Sequence, residues 1–259
     1  MKKKNILIVF ICIAFVTIVC LSCISAFSIA RIEITFAAVK DSSSAYFKEV
    51  KEDLDSVIGK SLLFFNRKEI DEIVGRYPYL ELTGVEKEYT NRLTISIRER
   101  EEQYAVWSDS GYYMLDQDGL VLDKRSENTY HLDASLQNIE LKFTGMAIHI
   151  PEIGSGVSAE EKDAAWLESV FAIGKAFYLR NTVESFIVNR EREQVILSLK
   201  TGVSIIIERP LDFAEDKLNE AWDAYDTTLT DKQKSSGTLR VYKKDDGTIE
   251  RVYDSGGSI

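Results

Sequence analysis

Cysteine, histidine and proline are scarce in this chain of 259 residues, and their scarcity removes whole classes of function. Cys12, Cys20 and Cys23 all fall inside one apolar run near the amino terminus, so the region after it has no cysteine. That excludes a disulfide scaffold there, and with it a thiolate metal site or a cysteine nucleophile. His131 and His149 are the only histidines and stand in unrelated contexts, without an HExxH pair to hold zinc. No Ser-x-x-Lys, Gly-x-Ser-x-Gly or Walker motif occurs. Basic charge is short as well. Beyond residue 30 the chain carries 29 basic and 42 acidic residues, a net of −13. Nucleic acid and anionic lipid surfaces both reward basic patches, so neither is an expected partner.

Charge is absent altogether from residues 6–30, a run of 25 placed directly behind Lys2, Lys3 and Lys4. As an α-helix it would measure about 37 Å, enough to cross a hydrocarbon core of roughly 30 Å with modest tilt. Signal-peptide apolar cores run about 7–15 residues, so an uncleaved single-pass anchor is the better reading. The lysines favour a cytoplasmic amino terminus (residues 1–5), with Arg31 onward outside. The sequence before Cys23 lacks the apolar-small-small order of a lipoprotein.

Residues 31–100 then read as a small α+β unit of order β-α-(short β)-α-β-β. Arg31 to Phe36 alternates like a strand. Asp41-Ser-Ser-Ser44 signals a helix start, with Tyr46, Val50, Leu54 and Val57 on one face and Gly59 at its end. Leu62 to Phe65 is the short apolar run. Asn66 caps a second helix carrying Ile70, Ile73, Val74 and Tyr77. Strands through Val85 and Tyr89, and through Leu93, Ile95 and Ile97, complete the unit.

Residues 101–253 read as a β-rich domain with two helices, and 254–259 as a short tail. Short strands are expected at 104–107, 112–116 and 119–122. Ser158-Ala-Glu-Glu161 has the form of a capping box opening a helix with Leu167, Val170, Phe171 and Phe177 inward. Strands follow near 183–189, 194–199 and 202–208, then a helix from Leu211 to Asp226. A hairpin pairs Thr238–Tyr242 with Thr248–Tyr253 around Asp245-Asp-Gly247. Asp116-Gln-Asp-Gly119 lacks the further ligands of a calcium loop and fits a hairpin turn. Glu101-Glu102 and Glu160-Glu161 alternate sides or cap a helix, so neither converges as an acid–base pair. No catalytic site, metal or cofactor is implied.

The stretch Val85-Glu-Lys-Glu-Tyr-Thr-Asn-Arg-Leu-Thr-Ile-Ser-Ile-Arg-Glu-Arg100 resembles a junction motif of the FtsQ/DivIB family of division proteins. Val85, Lys87, Tyr89, Asn91, Leu93, Ile95, Ile97, Glu99 and Arg100 fall in register with it. Pro78-Tyr-Leu80 precedes it, and Met114-Leu-Asp116-x-x-Gly119-Leu-Val follows, as the family has them. Thr90 and Glu102 stand where many members have proline. The late family strand Asp-Leu-Arg-Tyr is here Thr238-Leu-Arg-Val241, with Tyr242 one place later.

The resemblance implies a single-pass membrane protein with a POTRA-type module and a β-rich second domain, concentrated at the division septum. It implies a non-enzymatic scaffold holding bitopic partners of the FtsL and FtsB/DivIC types beside the septal peptidoglycan synthase. The late strand, Leu239, Arg240, Val241 and Tyr242, is the expected partner-binding edge. Alternation there puts Leu239 and Val241 inward and leaves Arg240 and Tyr242 facing out. Two other classes compete: a POTRA-bearing chaperone or export component, and an anchored wall enzyme. The first usually carries repeated POTRA units or a membrane barrel, and the second a nucleophile or metal motif.

Overall fold

The computed structural model describes residues 13–18, 27–39, 45–88, 91–108, 110–176, 182–212 and 214–256. Most of the expected span therefore lies outside the described residues; within it, 13–18 are helical. No helix among the described residues is long and apolar enough to cross a membrane. Contacts group the chain into two units, Met1–Arg100 and Glu101–Ile259.

The first unit runs β1 (Arg31–Ala37), α1 (Ala45–Asp55), α2 (Arg67–Val74), β2 (Leu80–Glu88) and β3 (Arg92–Glu99). β3 lies between the other two strands, parallel to β1 and antiparallel to β2. A parallel pair needs a long crossover, and the two helices supply it. Ile34, Ile95 and Val85 share one cross-strand row, and Phe36, Ile97 and Leu82 share the next. Val50, Leu54, Ile70, Ile73 and Val74 of the helices join the core built on those rows. Asn66 caps α2 by accepting from the Lys68 N–H at 3.1 Å. The Asp41–Ser44 start signal lies outside the described residues.

Two expectations for this unit need correction. Leu62–Phe65 is not a strand: Leu62 and Phe65 are buried while Leu63 and Phe64 are exposed, and a single bridge joins Ser61 to Ser28. The order is thus β-α-α-β-β. The unit also begins earlier than residue 31. Ile29 is fully buried in its core, and Gly59 N–H donates to Ile29 O at 2.8 Å.

The second unit holds a nine-stranded sheet. Its strands are β4 (Tyr104–Ser108), β5 (Gly111–Leu115), β6 (Val121–Arg125), β7 (Ile139–Thr144), β10 (Val183–Asn189), β11 (Gln194–Leu199), β12 (Ser204–Glu208), β13 (Thr238–Lys243) and β14 (Ile249–Asp254). A separate two-stranded ribbon pairs β8 (Ile148–His149) with β9 (Ser158–Ala159). Two helices complete the unit, α3 (Ala164–Ala176) and α4 (Ala214–Asp223). The sheet order is β14-β13-β12-β11-β10-β7-β4-β5-β6. Leu141, Phe186, Leu197, Ile205, Leu239 and Tyr253 are paired neighbours from β7 to β14, one apolar row six strands wide. α4 packs against β12, β13 and β14 and buries Leu218 and Ala221. A single π-helical turn, Ala224–Thr228, extends it and buries Tyr225.

The expected capping box does not form. Ser158 is drawn into the ribbon opposite His149, and α3 starts only at Ala164. Asp163, buried just before that start, instead meets Arg190 Nε at 3.2 Å. Cross-strand pairing has overridden a local helix signal. The Asp116–Gly119 turn forms as its residues predict. Asp116 Oδ1 accepts from the N–H groups of Asp118 and Leu120, both at 2.8 Å, and Gly119 has φ +81°.

Tyr104 fixes how α3 sits on the sheet. Its fully buried ring points its hydroxyl at Gly174, where an added Cβ would lie 1.5 Å from that oxygen. Gln103 Nε2 donates both to this hydroxyl and to Gly174 O, each at 3.0 Å. Burial holds the Tyr104 proton on well above the ordinary tyrosine value. Above pH of about 10 the unfolded chain loses this proton and the folded one keeps it, so stability falls as pH rises, by up to about 1.4 kcal/mol per unit. Urea unfolding of the wild type between pH 9 and 11 should therefore fall off more steeply than that of Tyr104→Phe. Parallel pH curves would show that the hydroxyl is not held protonated.

Candidate partner-binding edge

The sequence β12–α4–β13 decides where an open edge can exist. A strand, a helix and a second strand in one sheet make a crossover unit, and its two strands are parallel. β13 accordingly lies beside β12, with Ile205 opposite Leu239 and Ile207 opposite Val241. The hairpin then lays β14 on its other side, with Leu239 opposite Tyr253 and Val241 opposite Arg251. Leu239, Arg240, Val241 and Tyr242 thus belong to an interior strand, and the expectation that they form the open edge is corrected. The open border is β14, the outer strand of the same hairpin.

The side-chain directions within β13 follow the alternation. Leu239 and Val241 are buried, Arg240 is exposed and Tyr242 half-buried. Both outward residues are engaged locally. Arg240 Nη1 lies 2.7 Å from Glu208 Oε1, and the Tyr242 hydroxyl donates to Glu250 Oε2 at 2.5 Å. Lys244 Nζ meets the other oxygen of Glu250 at 2.9 Å. The hydrogen bonds from Tyr242 and Lys244 hold the Glu250 carboxyl below its usual value, and the Glu250 bond raises the Tyr242 hydroxyl.

The turn fixes which backbone groups β14 presents. Lys244 N–H donates to Thr248 O at 2.8 Å. In an antiparallel ladder the bonded pairs recur at every second residue, so Glu250, Val252 and Asp254 bond toward β13. The N–H and C=O groups of Ile249, Arg251 and Tyr253 therefore face the open side. On β14, Arg251 ion-pairs with Asp223 at 2.7 Å and Glu220 at 3.2 Å, and Val252 is exposed. At the opposite border of the sheet, a neighbouring loop bonds the Val121 end of β6. There Val121 N–H donates to Ser155 O at 3.0 Å and Gly154 N–H to Val121 O at 2.8 Å. Among the described residues, no strand pairs with the outer side of β14.

A buried ionic cluster elsewhere in this unit was not foreseen from the sequence. Glu102 is fully buried, and its carboxylate accepts from Arg125 Nη2, from Asn138 Nδ2 at 3.0 Å and from the His131 N–H at 3.2 Å. Asn128 and Asn138 exchange bonds at 2.9 and 3.0 Å. These contacts fasten the polar 124–138 stretch to the sheet. A carboxylate committed to three donors is a structural tie rather than a general base. Only the polarity of 124–138 hinted at it in the sequence. Among the described residues, no three His, Cys, Asp or Glu side chains are grouped so as to hold a metal.

No family model matches the chain. It is 26% identical over 224 residues to the cell division protein DivIB of Clostridium botulinum strain Hall, covering 85% of this chain and 80% of that one. The DivIB of the Loch Maree strain is 25% identical over the same length. That of Clostridium acetobutylicum is 24% identical over 166 residues, or 63% of this chain and 61% of its own. A solved structure of the major extracytoplasmic domain of DivIB from Geobacillus stearothermophilus, the trans isomer, matches 51% of this chain and 98% of its own at 12% identity and a TM-score of 0.28. The chain is thus a sequence homologue of proteins named DivIB over most of its length.

Replacing Glu102 by Ala strands Arg125 and two further donors, a loss of about 3 kcal/mol when one partner of a largely buried pair is removed. Urea unfolding of the second unit should show a lowered midpoint with little change in slope. A midpoint within error of the wild type would mean that the cluster does not hold the 124–138 stretch.

Proposed function

We propose, from the similarity to DivIB proteins over most of the chain, that this protein serves cell division as a membrane-anchored, non-catalytic scaffold. In this reading the uncharged run anchors it through residues 6–26, and the folded region from Phe27 onward works outside the membrane, concentrated at the septum. Its partners are bitopic coiled-coil proteins of the FtsB/DivIC and FtsL types, held beside the septal peptidoglycan synthase. The observation that carries the partner site is the uncovered border at β14. Exposed edges accept a further strand through main-chain hydrogen bonds, with side-chain contacts adding selectivity. The outward groups of Ile249, Arg251 and Tyr253 offer that ladder. Arg240, Tyr242 and Val252 line the outward face beside it, so the late strand named in the sequence contributes side chains while its neighbour contributes backbone.

Arg251 gives a clean test because its N–H faces the open side. Arg251→Pro removes that donor, and an unsatisfied interfacial bond costs on the order of 1–3 kcal/mol, roughly a 5- to 150-fold loss of affinity. Arg251→Ala keeps the donor and should bind nearly as well as the wild type. The measurement is titration of the outer region with the outer segment of an FtsB/DivIC-type partner, alongside imaging of a fluorescent fusion for a midcell band. Equal affinity of both variants, with the fold intact by circular dichroism, would move the site off β14. A uniform envelope signal would count against the division role itself.

A further inference from the structure

The chain leaving the uncharged run is stitched to one loop of the first unit. Leu62 N–H donates to Phe27 O at 2.7 Å, Ile29 N–H to Lys60 O at 2.8 Å, and Gly59 N–H to Ile29 O at 2.8 Å. Ser28 and Ser61 are bridged between them. Residues 59–62 are thus bonded directly to residues 27–29, the end of the uncharged run. Leu63 and Phe64 follow Leu62 directly, within about 7 Å of its Cα along the chain.

That loop divides its apolar side chains between two environments. Val57, Leu62 and Phe65 point into the core, 0%, 1% and 7% exposed. Ile58, Leu63 and Phe64 point out, 46%, 51% and 86% exposed. Such a cluster is unusual on a surface whose net charge is strongly acidic. Arg31, Lys60, Arg67 and Lys68 stand close by in sequence, the residue types that hold apolar groups at a lipid interface. β1 leads away from this end: Ala38 lies seven residues beyond Arg31, about 23 Å at strand rise.

We propose that the 58–64 loop is a lipid-interface anchor, in which Ile58, Leu63 and Phe64 insert at the headgroup–acyl boundary beside the exit of the span. The inference rests on the proposed reading of the uncharged run as membrane-spanning up to about residue 26. The occupant is lipid itself, because the loop is tethered by backbone bonds to the residues that close the uncharged run. With the acidity of the rest of the outer region, the contact is driven by apolar insertion, so it does not require anionic lipid.

The test uses the full chain with Cys12, Cys20 and Cys23 replaced by Ala, reconstituted in phosphatidylcholine vesicles with or without phosphatidylglycerol. An environment-sensitive fluorophore is attached at Phe64→Cys, and in a separate protein at Ala38→Cys. The label at position 64 should be quenched by a shallow lipid nitroxide and be several-fold less open to aqueous iodide than the label at 38, in both lipid mixtures. Adding Leu63→Ser should raise iodide access at 64. If the protein floats with the vesicles but the labels at 64 and 38 respond alike, the loop does not touch lipid and the inference falls. Shielding of position 64 from iodide without nitroxide quenching would also overturn it, since a protein surface rather than lipid would then cover the loop. Failure to float after alkaline extraction would overturn the spanning reading itself, and this inference with it.

Discussion

Register across the large sheet is the constraint on which the second unit depends. Leu141, Phe186, Leu197, Ile205, Leu239 and Tyr253 face one way because each is paired with the next. A slip of one residue in any strand would turn its share of this row to the other face. α3 and α4 therefore have a defined surface to cover, and the fit is close enough for the Tyr104 hydroxyl to occupy the space a side chain at Gly174 would need. Order within the row carries through to β14, so the geometry of the border is inherited from the core.

This inheritance separates two roles that adjacent strands share. β13 is held on both sides and sets the direction of Arg240 and Tyr242, whereas β14 has one side committed and one available. The ion pairs from Arg251 to Asp223 and Glu220 bind the outer strand to the helix beneath it. Individually such exposed pairs stabilise little, but two acceptors on one guanidinium restrict how the strand lies.

Much of this was legible in the chain. The alternation of Leu239 with Val241, the Asp245–Gly247 turn and the helix at 214–223 were all visible as local patterns. What the pattern does not display is which strands become neighbours. The crossover through α4 encloses β13, and only the handedness and parallelism of such units, applied to residues 204–243 together, reveal it. The capping box failed for the same kind of reason, since Ser158 found a strand partner distant from the helix it was expected to start. The buried Glu102 cluster is not visible as a local pattern because its partners, Arg125, His131 and Asn138, come from a polar stretch more than twenty residues away. In the first unit, Leu62–Phe65 is apolar throughout, and composition alone does not separate the two side chains that enter the core from the two that remain outside.

On the proposed reading of the uncharged run as a membrane anchor, Ile29 carries a consequence for the fit between protein and bilayer. Its burial in the first unit, with Phe27 and Ala30 bonded into that unit, would keep residues 27–30 out of the lipid. The uncharged run then has residues 6–26 left for the hydrocarbon, 21 in place of 25. As a helix these would measure about 31 Å, close to the thickness of an average bilayer core. The apparent surplus of the run vanishes. Hydrophobic mismatch would then become the quantity to which the anchor is tuned, so that a thicker or thinner membrane would load the junction at Phe27 directly.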